Sequence, residues 1–315
     1  MRYHKRSFAD LTGWADDDHQ AALDVFGITR GALGPDWPEL PRAGVDARLY
    51  FEANFTPVLI VDDRATLFTG YYEPELAGAP VKDAHFRYPA YAVPPDLDPG
   101  TPYLTRAEIE GGALQGRGLE LAWFADPVDV FFLQVQGSGR VRFPDGGMLR
   151  LGFAAKNGHP YTSVGAVLVE RGAVAADAVS PEAIRAYVRS HGPAILCENA
   201  SFVFFRPIDA VPATDGPLGA LGQSVTAGRT LAVDPDVQPL GAPVWIEKAG
   251  AVRLCRLMVA QDTGSAIKGA QRADIFFGTG AKAGQAAGAV KDGGRMVTLL
   301  PHVLADRLCK GAADA

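Results

Sequence analysis

Apolar and polar positions follow two different periods along this chain, and the change of period divides it. Within the first 65 residues, Ala21, Leu23, Val25 and Phe26 follow the acidic run Asp16-Asp17-Asp18, and Leu49, Phe51 and Phe55 recur through a polar stretch. Two or three helices are expected there. Residues 66–72 read as a strand that Glu73-Pro74 closes, since proline cannot donate to a ladder. Prolines then separate short apolar pieces from 75 to 120, which suggests loops between short strands. Residues 128–136 are almost continuously apolar and are expected as a strand that breaks at Gly137-Ser138-Gly139. It resumes at 140–143, turns through Pro144-Asp145-Gly146-Gly147 and returns at 148–153 as an antiparallel hairpin. A helix is expected after Ser180 as N-cap, with Pro181 first, Ile184, Tyr187 and Val188 on one face, and a stop before Gly192-Pro193. Beyond a Pro/Gly-rich connector from 207 to 221, the pattern is almost entirely β, with strands near 231, 244–246, 254–260, 275–277 and 297–300.

At 315 residues the chain suits two domains, and 36 Gly with 23 Pro suit a turn-rich one. A net charge of −6 with no Lys/Arg run argues against nucleic acid as a partner. Three cysteines, Cys197, Cys255 and Cys309, show neither disulfide nor zinc spacing, and the six histidines are scattered. There is no GxSxG elbow, P-loop, GxGxxG opening a helix, or HExxH, so no metal, nucleotide or other cofactor is expected. The basic start lacks the apolar run of a signal peptide, and no stretch is long enough for a transmembrane segment.

The densest chemistry lies at 261–274. There Asp262 and Asp274 bracket a loop of small residues, each beside an apolar strand, and Asp234 ends a third short strand before Pro235. Three carboxylates converging in one groove would raise the pKa of at least one, enough for it to donate a proton near neutral pH. On spacing alone, however, turn and capping roles for Asp234 and Asp262 lead. Thr69 and Tyr71 beside Gly70 offer a hydroxyl and an aromatic face, as a sugar site would want. Gln134 and Gln136 would share a strand face ending at Gly137-Ser138, although such a segment is more often a plain turn.

These blocks carry a family resemblance. The stretch from Ala260-Gln261-Asp262-Thr263-Gly264 to Ala273-Asp274, with Ala232-Val233-Asp234-Pro235 upstream, resembles the 3D domain, named for its three aspartates. The segments 69–74, 134–139, 156–161 and 201–207 resemble, in the same order, the membrane-bound lytic murein transglycosylase A family. The resemblance implies an all-β protein with a few N-terminal helices. It has a double-ψ β-barrel domain from 1–73 and 209–315, a second β-barrel inserted at 74–208, and a groove between them. It implies Asp274 as the catalytic acid/base, Asp262 and Asp234 in support, and Thr69, Tyr71, Gln136, Gly137 and Ser138 as sugar contacts. The expected substrate is the glycan strand of peptidoglycan, other cell-wall enzymes are conceivable partners, and the expected place is the periplasm, with an outer-membrane anchor left open. A muramidase-like hydrolase and a non-catalytic peptidoglycan-binding module remain the alternatives.

Overall fold

The computed structural model describes residues 1–209, 211–212 and 214–311. They fall into two compact units, one from 1–72 and 212–315, the other from 73–211.

The first unit is organised by a nine-stranded sheet in the order Arg2–Lys5, Phe55–Val61, Gly294–Pro301, Pro243–Lys248, Leu254–Thr263, Thr230–Val233, Arg272–Thr279, Leu67–Glu73, Lys291–Asp292. Most neighbours with a defined register are antiparallel, but Thr230–Val233 runs parallel to Leu254–Thr263. Pro243–Lys248 is apolar on both faces for a visible reason. Trp245 packs with Phe26, Phe51 and Phe55 under the helices His19–Arg30 and Ala47–Asn54, while Val244 and Ile246 point into a second core. That second core joins Phe68, Val233, Met258, Ile275 and Met296 from strands far apart in the sheet order, so the sheet curls around it. Burial on both sides is why these strands read as apolar runs rather than alternations.

The second unit holds a four-stranded sheet, in the order Glu75–Ala77, Ser138–Arg142, Met148–Lys156, Val203–Pro207, and a two-stranded one, Tyr88–Tyr91 with Glu120–Phe124. The hairpin forms in the register Ser138↔Gly152 to Arg142↔Met148. The helix Pro181–His191 starts as its caps dictate, the Ser180 side chain accepting the Ala183 N–H, and it buries Ile184 and Val188.

The expected strand at 128–136 is instead the helix Pro127–Gln136. The Asp126 side chain caps it by accepting from Val128 N, Pro127 takes the first helical position, and Gly137, at φ 77°, ends it in the left-handed region. Its apolar pattern shows no helical period because both sides are covered. Val130 and Leu133 pack on the sheet core, Val128 and Phe131 on a layer of helices. One consequence corrects the glutamine pair: residues two apart on a helix diverge, so Gln134 and Gln136 do not share a face. The helices Ala281–Gly288 and His302–Gly311 also stand in a region expected to be β. Among the described residues no helix is long and apolar enough to cross a membrane.

Candidate active site

The short strand Thr230–Val233 organises the site. Its residue Ala232 pairs in register with Asp262 on one neighbouring strand and with Asp274 on the other. Residues directly opposite on adjacent strands project to the same face, so both carboxylates emerge on one side, two strand spacings or roughly 10 Å apart at the backbone. The adjoining strand Leu67–Glu73 brings Thr69 and Tyr71, two residues apart and therefore on one face, to these two acids.

The two carboxyls are held differently. Asp262 is engaged on both oxygens: Oδ1 accepts from Ala220 N at 3.0 Å and Thr263 N at 2.8 Å, and Oδ2 accepts from the Tyr71 hydroxyl at 3.0 Å. Burial pushes its pKa up to about 6 against the pull of those donors, and the nearby Asp274 adds to the rise. Tyr71 is pushed well above its ordinary range by burial and by the Asp262 carboxylate. Asp274 accepts the Thr69 hydroxyl on Oδ1, and among the described residues Oδ2 has no partner. Burial raises Asp274 above the usual carboxylate range, while the Thr69 O–H and the charge of Arg272 act the other way. Among the described residues no lysine or arginine forms an ion pair with it. A carboxyl that is raised, anchored by one oxygen and open at the other can deliver and retrieve a proton.

The third aspartate departs from the expected convergence. Asp234, 4% exposed, pairs with Lys268 Nζ at 2.9 Å and accepts from Gly269 N at 2.9 Å and Asp236 N at 3.3 Å. Burial opposes its ionisation, but these partners prevail and hold it below the usual range. Its carboxylate orders the 261–274 loop, and Lys268, which also meets Asp236 at 2.9 Å, is thereby assigned to the loop as well. Gln136, Gly137 and Ser138 lie in the second unit, at the passage from the helix Pro127–Gln136 into the strand Ser138–Arg142. The neighbouring Gln134 is buried and accepts from Arg106, whose guanidinium sits over the rings of Phe131 and Phe202.

Sequence reasoning missed Arg272, which donates to Thr69 Oγ1 at 2.8 Å and to Ala273 O at 2.7 Å. It also missed the helix Ala281–Gly288 behind the Thr69 strand. The signal for that helix lay in two glycines. A Cβ on Gly70 would meet Ala287 Cα at 2.7 Å, and one on Gly284 would meet the Tyr72 ring at 2.8 Å, so the helix sits directly on the strand only because both are glycine. Among the described residues no group of three or more His, Cys, Asp or Glu side chains could hold a metal ion.

Comparison with known proteins agrees with this architecture. The MltA specific insert domain matches residues 67–206 and the 3D domain matches 229–300. A membrane-bound lytic murein transglycosylase A from Vibrio cholerae is 38% identical over 244 residues, 73% of this chain and 64% of that protein, so the matched part is less than two thirds of the relative's length. A crystal structure of a membrane-bound lytic murein transglycosylase from Agrobacterium tumefaciens superposes with a TM-score of 0.84 at 32% identity, covering 98% of this chain and 99% of that one. Escherichia coli MltA with bound chitohexaose superposes with a TM-score of 0.73 at 30% identity, covering 92% and 90%. With the two domain matches in order along the chain and whole-length structural likeness above 30% identity, the chain belongs to the membrane-bound lytic murein transglycosylase A family.

Proposed function

We propose that the protein is a periplasmic lytic transglycosylase that cleaves the β-1,4 bond between N-acetylmuramic acid and N-acetylglucosamine in peptidoglycan, with Asp274 as its single acid and base. The observation that carries this reading is the Asp274 carboxyl itself, raised by burial, tethered through Oδ1 to Thr69 and free of an ion pair among the described residues. In the first step the Asp274 proton passes to the glycosidic oxygen, the C1–O bond breaks, and the muramoyl C1 becomes oxocarbenium-like or is trapped as an oxazolinium. In the second, the ionised Asp274 takes the proton of the muramoyl C6 hydroxyl as O6 bonds to C1. A 1,6-anhydro sugar results and the acid is restored. One carboxyl suffices because the nucleophile is already tethered to the reacting carbon.

A muramidase-like hydrolase would need a second working carboxylate. Asp262 is a poor one, since three donors engage both of its oxygens, which fixes the carboxylate in place and weakens it as a base or nucleophile. Its role is to order the strand end and to add negative charge near a developing cation. Thr69 gives its proton to Asp274, so it acts on the acid before it acts on any sugar; Gln136, Gly137 and Ser138 are proposed as sugar contacts. The relative bound to chitohexaose supports a saccharide as ligand.

Purified sacculi digested with the protein should release muropeptides ending in anhydro-muramic acid. Reducing ends in their place would make it a hydrolase, and no release at all would leave the binding module.

A further inference from the structure

We propose that Arg272 is a positioning residue for Asp274, acting through the Thr69 hydroxyl. The inference rests on Asp274 being the acid/base and goes beyond it by naming what aims and steadies that carboxyl. A threonine hydroxyl has one proton. Arg272 Nη2 donates to Thr69 Oγ1 at 2.8 Å and can accept nothing in return, so the hydroxyl proton is left for Asp274 Oδ1. The guanidinium is fixed from behind: Nη1 donates to Ala273 O at 2.7 Å and reaches Leu67 O at 3.4 Å. It stands two residues before Asp274 on the same strand, and therefore on the same face. The order is one-way, Arg272 to Thr69 to Asp274.

The spacing matters chemically. A guanidinium bonded directly to Asp274 would keep the carboxyl ionised and leave it no proton to donate. With one hydroxyl between them, the cation still favours the carboxylate that forms in the first step, but less strongly. Burial, which favours the protonated acid, works against it. Oδ2 is left to face the glycosidic oxygen and then O6.

Few other charges face Asp274. Asp262 lies across the Thr230–Val233 strand, and Tyr71 is two residues beyond Thr69. Lys291 pairs with Thr69 on the edge strand and is exposed. Lys282 is exposed on the helix Ala281–Gly288, which packs against the strand carrying Asp274. Of the cations, Arg272 alone is tied into the hydrogen bonds of the acid.

The test is the pH dependence of kcat/KM, which reports the free enzyme's acid. Removing the cation makes Asp274 harder to ionise. The limb on which activity falls with rising pH should therefore move to higher pH in Arg272→Met, and kcat should drop about ten- to a hundredfold with KM little changed. Arg272→Lys, which keeps a charge and the packing of the stem, should return the limb toward its original position, and it serves as the variant to read should Arg272→Met not fold. In a Thr69→Val background the change at Arg272 should move the limb less, because the connecting hydroxyl is gone and only the field of the charge remains. An unmoved limb in folded Arg272→Met and Arg272→Lys, or an equal movement with and without Thr69, overturns the relay. Asp274→Asn separates the two failures. If that variant is inactive while the limb stays put, only the relay falls; if it is active, the assignment of Asp274 falls with it.

Discussion

Two carboxylates in this molecule are sheltered from water to different ends. Glu73 in the second unit is 0% exposed and is gripped by two arginines, Arg150 Nε at 2.7 Å and Nη2 at 3.0 Å, and Arg140 Nε at 2.9 Å. Asp274 in the first unit is partly exposed and accepts one neutral hydroxyl. The first arrangement holds the carboxylate between two guanidinium groups, on Ser138–Arg142 and Met148–Lys156. The second leaves the proton free to come and go. Burial alone therefore does not mark a working acid; burial without a countercharge, with one carboxyl oxygen left without a donor among the described residues, does.

The largest effect that would break this contrast is on activity. Asp274→Asn removes the proton donor at nearly constant shape, so anhydro-muropeptide release should fall about 10²- to 10⁴-fold. The melting temperature should stay the same or rise, because the variant carries no buried charge at neutral pH. A melting temperature that collapses together with activity would place Asp274 with Glu73 among the structural acids. Glu73→Gln should show the reverse. It removes the charge that faces two guanidinium groups whose side chains are 14% and 6% exposed, and should cost up to about 3–5 kcal/mol in denaturant unfolding. Per folded molecule, activity should be nearly intact.

How far the site was legible follows from the same physics. Asp262 and Asp274 could be singled out because a carboxylate beside an apolar strand and next to small residues is a local pattern. That Thr69 and Tyr71 serve those two acids could not be read, since the partners lie 205 and 191 positions apart and a register between distant strands leaves no local trace. Arg272 drew no reading from the sequence for that reason. In the fold, the hairpin at 138–156 and the helix Pro181–His191 announced themselves through period and caps. The helix Pro127–Gln136 did not, because burial on two sides erased its polar stripe, although Asp126-Pro127 and Gly137 marked both ends. The helix Ala281–Gly288 buries only Ala283 and Ala287, too little apolar surface for a pattern to show.

A smaller effect sharpens the contrast within the first unit. The pKa of Asp262 rises from 3.8 to about 6 on folding, chiefly through burial. Between those values the unfolded chain ionises while the folded one keeps its proton, so stability is full below about pH 4 and falls as pH rises toward 6. Two units correspond to about 3 kcal/mol at most, and less for a group that is not fully enclosed. Asp262→Asn should flatten that part of the stability–pH curve measured by denaturant unfolding. A slope unchanged by the substitution would mean that folding does not hold the proton on Asp262.

The smallest effect concerns the third aspartate and has the opposite sign. Asp234 is held below its ordinary pKa, so it adds stability above the unfolded value and loses it as pH falls through the folded one. Lys268 supplies part of that, but its side chain is 47% exposed, and a half-exposed pair contributes little. Lys268→Ala should therefore cost under about 1 kcal/mol at neutral pH. The Gly269 and Asp236 amides remain to hold the carboxylate, and the acid loss of stability should become shallower. Activity should change little, because Lys268 belongs to the loop that Asp234 orders and not to the hydrogen bonds of Asp274. If Lys268→Ala instead abolished cleavage in a well-folded protein, Asp234 and its lysine would have to be counted with the chemistry, and the division between paired and unpaired carboxylates would no longer separate scaffold from site.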